Sequence, residues 1–280
     1  MSNYIYQYYE AAISIDGTSQ DLVQSVGVKS DAGLDFVSIP TTGVGIPIIK
    51  PNIISQIDIE YIGYGTLVDP LYQPLHDTFG DIILHRFNGN SITFKKCILV
   101  GTSSSIDAND VYGKKTLTYQ SIGGYSVGGT SWPIDYPSTG TIKSYTRPCF
   151  ESDMDSSEAS EYSGYVLAFK SNCTINREPL YSQGRGAPTH LCIKYPIQTT
   201  STVTRIENNS TDLPNKLSKL CVGDGQDGPL MQKISGLYAG YLDDYSIEGI
   251  QVGGSRQVIS FNFLSTFDYG LKRLVEYTPP

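Results

Sequence analysis

Charge is scarce in this 280-residue chain. Asp, Glu, Lys and Arg make up 17% of it, and 20 basic residues face 28 acidic ones, a formal net charge of −8. The sequence pI is about 4.8. A chain so poor in lysine and arginine gains little by releasing counterions from DNA or RNA, which argues against nucleic-acid binding through a basic surface. A basic anchor to anionic membrane is disfavoured for the same reason. Histidine is rarer still: His76, His85 and His190 are the only three. No two stand four residues apart and none lies beside a cysteine pair, so the spacing of a zinc site is missing. Each reads as a surface or hydrogen-bonded histidine. The five cysteines, Cys97, Cys149, Cys173, Cys192 and Cys221, are odd in number, far apart and without a CxxC pair. That pattern reads as free, mostly buried thiols of a protein made in a reducing cytoplasm. Long apolar runs are missing too. The most apolar stretch, VGIPIIKPNII at 44–54, is broken by Pro47, Lys50 and Pro51 and is too short to span a bilayer. The opening MSNYIYQYYEAAISIDG has neither the basic region nor the apolar core of a signal peptide. The expectation is a soluble chain made in the cytoplasm, with no membrane insertion.

Catalytic signatures are equally thin. GVGIP (43–47) and GGYSVGG (123–129) are glycine-rich but lack a strand–GxGxxG–helix frame, and GKK (113–115) lacks the remainder of a phosphate-binding loop. No GxSxG elbow occurs, and no cysteine sits in a recognisable nucleophile context. The acidic turns ESDMDSSE (151–158) and GDGQDG (223–228) lack the alternating ligand frame and terminal glutamate of a calcium loop, and read as solvated turns. A glycosidase needs only two placed carboxylates. Asp58, Glu60, Asp81 and Glu248 lie on strand candidates, where alternation puts them on the solvent face by default. The chain reads as a non-enzyme with no catalytic residues, no metal site and no cofactor.

What is abundant is strand and turn material: 28 glycines, 21 tyrosines and 15 prolines. YIYQYYEAAISID (4–16) ends at Gly17. SQIDIEYIGYG (55–65) alternates Ile57, Ile59 and Tyr61 against Asp58, Glu60 and Ile62. DIILHRFNGNSITFKKCILVG (81–101) is two runs joined by Asn-Gly-Asn, a hairpin signal because Asn-Gly tolerates positive φ. KKTLTYQSIGG (114–124), DYSIEGIQVGG (244–254) and RQVISFNFLSTFDYG (256–270) follow. In the last, Ile259, Phe261, Phe263 and Ser265 share one side and Val258, Ser260, Asn262 and Leu264 the other, a period of two. Helical patterns are few. STDLPNKLSKLCVG (210–223) has a capped, leucine-periodic layout, PLMQKISGLYAGYL (229–242) is a second candidate, and DPLYQPLHDTFGDI (69–82) has room for one turn. Residues 128–145 and 146–164 read as loops.

One motif recurs. Asp69-Pro70-Leu71-Tyr72 matches Glu178-Pro179-Leu180-Tyr181, each after a strand candidate. CILVGTSSSIDANDVYGKKTLTYQSIGGY (97–125) also shares its layout with YSIEGIQVGGSRQVISFNFLSTFDYG (245–270): strand, glycine turn, long strand ending at glycine. The expectation is an internal duplication, with a first β unit at 1–145 and a second at 146–280; shared turn chemistry is the alternative. Around the second copy, Arg177, Glu178, Tyr181 and Arg185 are candidates for a subunit interface, since guanidinium forks suit carboxylates; the alternative is an ordinary surface loop. Tyr4, Tyr6 and Tyr8 fall in one extended N-terminal segment, either an arm that adds a strand to a neighbour or an edge strand of its own sheet.

At INREPLYSQGRGAPTHLCIKYPIQTTSTV (175–203) the chain resembles virion structural proteins of tailed bacteriophages, and in particular tail-tube-type proteins, where a strand leads through an REP-containing bend into further strands. Residues 245–270 are similar to the closing strands of such proteins. The resemblance covers about residues 165–270 and implies a mainly β fold: duplicated tail-tube-like β-sandwich or half-barrel units with a few short helices. It implies edge strands completed by sister chains, and so a homo-oligomeric ring, trimeric with pseudo-sixfold symmetry where two units are fused. Its partners would be other tail proteins, with phage DNA passing through unbound, and its location the tail of the virion. An acidic lumen would repel the phosphates, so net negative charge is expected on the ring-facing strands. The alternative is a receptor- or glycan-binding virion module of baseplate, collar or fibre, with tyrosines and Trp132 as stacking faces.

Overall fold

The computed structural model describes residues 11–20, 23–31, 34–38, 45–49, 54–63, 79–86, 90–107, 113–129, 166–183, 188–208, 231–235, 238–248, 256–268 and 273–274. Every regular element among them is a strand. The first half supplies β1 (Ala11–Ile15), β2 (Thr18–Ser19), β3 (Val23–Asp31), β4 (Leu34–Ser38), β5 (Gly45–Ile49) and β6 (Ile54–Gly63). It continues with β7 (Gly80–Arg86), β8 (Ser91–Asp107), β9 (Gly113–Ser121) and β10 (Tyr125–Gly128). The second half supplies β11 (Val166–Thr174), β12 (Arg177–Leu180), β13 (His190–Ile193), β14 (Ile197–Asn208) and β15 (Met231–Ser235). Last come β16 (Tyr238–Glu248), β17 (Arg256–Asp268) and β18 (Arg273–Leu274). The fold is mainly β, with antiparallel pairing throughout.

The 17-residue β8 organises the sheet. Its first half pairs with β7 and β10, and its second half with β9 and β11. One strand serves four neighbours because it bends twice. Opposite β7 the register shifts between Gly80 and Ile82, where Lys96 takes a positive φ of 53°; opposite β9 it shifts between Leu99 and Gly101. Such bulges sharpen local twist and re-aim the strand. At the first bend Gly123 donates its amide to the Lys95 carbonyl at 3.0 Å. A β-carbon at Gly123 would come within 2.8 Å of that backbone, so only glycine fits.

From the second half of β8 the sheet runs β3-β6-β9-β8-β11-β14-β17-β16-β15. From the first half a separate arm, β7-β1-β2, departs. Its outer turn is Asp16-Gly17, with φ of 48° and 78° and Ile15 opposite Thr18, the two-residue turn whose twist suits a hairpin. The bends bring the arm over the sheet. Ile13, Ile15 and Ile82 of the arm join one buried cluster with Ile57, Ile59, Leu117, Tyr119, Leu99, Cys173 and Ile197. The arm and the sheet thus share one core.

Strict alternation sets which face is filled. One row crosses seven strands: Val26, Ile59, Leu117, Thr102, Cys173, Thr199 and Ser265 are successive cross-strand partners. Ile59, Leu117, Thr102, Cys173, Thr199 and Ser265 are all buried. A second row continues the same face through Phe169, Val203 and Phe261. Ile259, Phe261, Phe263 and Ser265 are buried and Val258, Ser260, Asn262 and Leu264 less so, the division expected from the period of two.

The strand expectations hold over 55–63, 81–86, 91–101, 114–121, 244–248 and 256–268. The tip of the hairpin over 87–89 lies outside the described residues. So do 210–223, 69–78 and the loop segments 130–145 and 146–164, while residues 80–82 of the one-turn candidate and Gly128 of the expected loop are strand. One helical expectation is corrected. Residues 231–235 and 238–248 form the hairpin β15–β16, with Met231 opposite Tyr241 and Leu242 opposite Phe263. The methionine and leucine content favours helix only weakly, and pairing with β17 overrides it. Across the expected boundary at 145/146, β8 pairs with β11 from Ala168 opposite Asp107 to Thr174 opposite Gly101, so both halves of the chain share one sheet.

Two measurements test this packing. Phe261 is 0% exposed, so Phe261→Ala costs about 3–5 kcal/mol in urea unfolding. Val127, 63% exposed, changes stability by less than about 0.5 kcal/mol when cut to alanine. Burial also holds His85, bonded to Ser14 Oγ at 2.9 Å, below the ordinary imidazole range. The unfolded chain therefore takes up this proton first. The contribution of a neutral His85 is complete above a pH of about 6.5 and is lost as pH falls below it. The melting temperature accordingly drops on acidification through that range, and the drop is shallower in His85→Gln.

Candidate assembly surface

Paired strands β11 and β14 are interrupted at one end by a separate hairpin, β12–β13, with Arg177 opposite Ile193 and Leu180 opposite His190. It leaves the sheet where β8 bulges at Val100. The bulge frees two carbonyls from the ladder, and the hairpin base satisfies both: Ile175 donates its amide to Val100 O at 2.8 Å, and Arg177 Nε donates to Leu99 O at 3.0 Å. At the other side of the root, Lys194 N donates to Asn176 O at 2.8 Å. Arg177 thus ties the hairpin to the sheet. Glu178 pairs with Lys194 at 3.3 Å, but both side chains are more than half exposed, a geometry worth little. Beyond this the hairpin shows apolar surface: Leu180 is 48% exposed and Tyr181 57%.

A second hairpin, β4–β5, interrupts β3 and β6 in the same way, between Asp31 and Ile54. Ser55 pairs with Ser121 and Ser121 with Cys97, so this hairpin leaves from the Cys97 end of β8. The Arg177 hairpin leaves from the same end, beside Leu99. Two projections therefore share one end of the sheet.

The face opposite the core is broad and polar. Asp58, Thr118, Gly101, Thr174, Gln198 and Thr266 form one cross-strand row, and Lys114, Ser105, Lys170, Thr202, Asn262 and Asp244 another. Hydrogen bonds run sideways along these rows. Thr118 Oγ1 donates to Asp58 Oδ1 and Thr202 Oγ1 to Asn262 Oδ1, each at 2.7 Å, and Asn262 Nδ2 donates to Asp244 Oδ1. Where Gly101 supplies no side chain, the face dips into a groove of about 410 Å³ lined by Gln56, Thr118, Gln120, Asn172 and Arg177. The acids here, Asp58, Glu60, Asp107 and Asp244, alternate with Lys29, Lys114 and Lys170. Acids and lysines thus share this face among the described residues. Ser, Thr, Asn and Gln dominate.

The sequence-selected residues fall in two groups. Arg177, Glu178 and Tyr181 come together on the projecting hairpin. Arg185, Tyr4, Tyr6 and Tyr8 lie outside the described residues. Sequence reasoning missed the margins of the sheet. Val28 on β3, with Tyr245 and Ile247 on β16, are exposed apolar side chains at 44%, 40% and 38%. DYSIEGIQVGG reads as a strand, but its alternation does not say that the strand lies near a margin of the sheet. Among the described residues no group of three His, Cys, Asp or Glu is placed to hold a metal, and no helix is long and apolar enough to cross a membrane.

The cysteines divide by burial. Cys97 and Cys173 are buried thiols in no disulfide, and Cys192 is a thiol exposed on the hairpin. Burial pushes the Cys97 thiol up to about 12, and it donates to Phe94 O at 3.3 Å.

No family model matches this chain, and no curated protein matches it. Among solved structures it is similar to the tube-terminating cap of the anti-feeding prophage, determined by cryo-EM, at 12% identity and a TM-score of 0.36; the match covers 46% of this chain and 95% of that one.

Thiol mapping tests the exposure pattern. Brief alkylation of the native protein labels Cys192 and leaves Cys97 and Cys173 untouched until denaturant is added, read by peptide mass spectrometry.

Proposed function

We propose that this protein is a non-catalytic structural component of a tailed-phage virion that assembles with copies of itself into rings or tubes through which the genome passes. The observation that carries the reading is the form of the main sheet. It is eight strands wide from β3 to β16, apolar on one face and hydroxyl- and amide-rich on the other, with exposed apolar side chains at both margins and two hairpins leaving one end. Sheet margins of that kind are completed by neighbouring chains. The hairpins suit contact with the next layer of a particle, where other tail proteins would dock. The polar face suits DNA that must not stick, since isolated lysines flanked by carboxylates offer phosphates little net attraction. The sequence resemblance at 175–203 and 245–270 points the same way. A trimer with pseudo-sixfold symmetry is the stoichiometry that two fused units would produce.

The groove over Gly101 favours a second reading, a glycan-binding virion module, because its amides and hydroxyls, with Arg177 as the one charged group in its lining, are donors and acceptors suited to sugar hydroxyls. The two separate experimentally. Assembly predicts a sedimentation coefficient that rises with concentration and closed rings or short tubes in negative stain. A compact oligomer that binds glycans and forms no rings supports the second reading. A concentration-independent monomer removes the first.

A further inference from the structure

The two margins of the main sheet match one another. From β3 to β16 each strand is antiparallel to the next, through β6, β9, β8, β11, β14 and β17. Eight strands is an even number, so β3 and β16 run in opposite directions. A second copy brought alongside by simple rotation therefore continues the antiparallel ladder without a break. Among the described residues, no strand lies on the outer side of β3 from Val26 to Asp31. The same holds for β16 beyond Tyr241, where its pairing with β15 ends.

The side chains agree in face as well as direction. Val26 and Val28 stand opposite Ile59 and Ile57, and so belong to the core face of β3; Tyr245 and Ile247 stand opposite Phe261 and Ile259, on the core face of β16. Lys29 shares the polar face with Gln56, and Asp244 shares it with Asn262. We propose that β3 of one copy hydrogen-bonds antiparallel along β16 of the next, with Lys29 opposite Asp244, Val28 opposite Tyr245 and Val26 opposite Ile247. A single register satisfies all three pairs and sets Gly27 opposite Ser246. It covers apolar side chains that are otherwise among the most exposed in the sheet, and it extends the Phe169–Val203–Phe261–Tyr245 row into the Val28–Ile57–Tyr119 row of the neighbour. Charge selects this union over a two-fold one. Pairing β16 with its own twin crowds the Asp243 and Asp244 carboxylates of both copies onto one short ladder with no lysine between them. In contrast, β3 brings Lys29 to Asp244, and opposite charges across a ladder are the favourable arrangement. The occupant of each margin is thus a second copy of this chain joined head to tail, a contact that closes into a ring or runs on as a filament.

The inference rests on the assembly reading above and adds which strands meet. In a Cys192→Ser background, the double variant Val28→Cys/Tyr245→Cys should give a ladder of disulfide-linked multimers on mild oxidation, while each single variant gives none. Lys29→Glu and Asp244→Lys should each raise the concentration for half-assembly about tenfold, and the double swap should restore it. Both positions are on the surface, so the variants fold. If the parent protein assembles but the double cysteine variant forms no ladder and the swap does not rescue, the edge assignment is overturned and the assembly reading stands. Crosslinking by Val28→Cys alone would overturn it in favour of a two-fold contact. A parent that never assembles removes both.

Discussion

The whole architecture depends on the backbone hydrogen bonds of β8. Every peptide group of a strand must find a partner, and most strands meet that demand with two neighbours. β8 meets it with four, because bulges at Lys96 and Val100 divide it into segments that face different ways. The first segment holds the arm carrying Ile13, Ile15 and Ile82; the second holds the eight-strand sheet. Without the bends the arm would lie in plane with the sheet and its isoleucines would face water. The shared core thus depends on where one strand kinks, and Gly123 is needed at the kink because nothing larger clears the Lys95 backbone.

The same bulge generates the projecting hairpin. Skipping one residue at Val100 leaves the Leu99 and Val100 carbonyls without ladder partners, and Arg177 and Ile175 supply them. An arginine that reads as an interface charge in the sequence therefore serves the fold at its Nε, while the exposed Leu180 and Tyr181 carry the surface of the hairpin. The buried row Thr102–Cys173–Thr199–Ser265 is a related departure from pattern. Thr102 and Thr199 bury hydroxyls that find no hydrogen-bond partner in the structure, each of which costs stability. Small polar side chains let β8, β11, β14 and β17 carry a core face without the bulk of the isoleucine cluster beside them.

Assembly and fold share a currency here. The margins expose apolar side chains next to single, opposite charges, and the face between them is hydroxyl-rich. A closed monomeric sheet would hide such margins with a covering element or bury them in a barrel. Among the described residues these margins stay open, and in the assembly proposed above quaternary structure would extend the secondary structure.

Period-two alternation was legible in the residues alone. It identified strands within 55–65, 81–101, 114–124, 244–254 and 256–270 and put Phe261 and Phe263 on one side together, because a pleated strand turns every second side chain the same way whatever it pairs with. Composition likewise pointed to a strand-and-turn chain. Pairing order was not legible: nothing local says that β8 joins β11 across 58 intervening residues, or that Val28 and Tyr245 end up on the same face of one sheet. The hairpin at 231–248 was misread for the same reason, since Met231 and Leu242 suit a helix as well as an edge strand until β17 lies beside them. Local periodicity determined the strands and which side chains share a face; only the tertiary ladder, built from contacts far apart in the chain, decided which strands are edges and which face is buried.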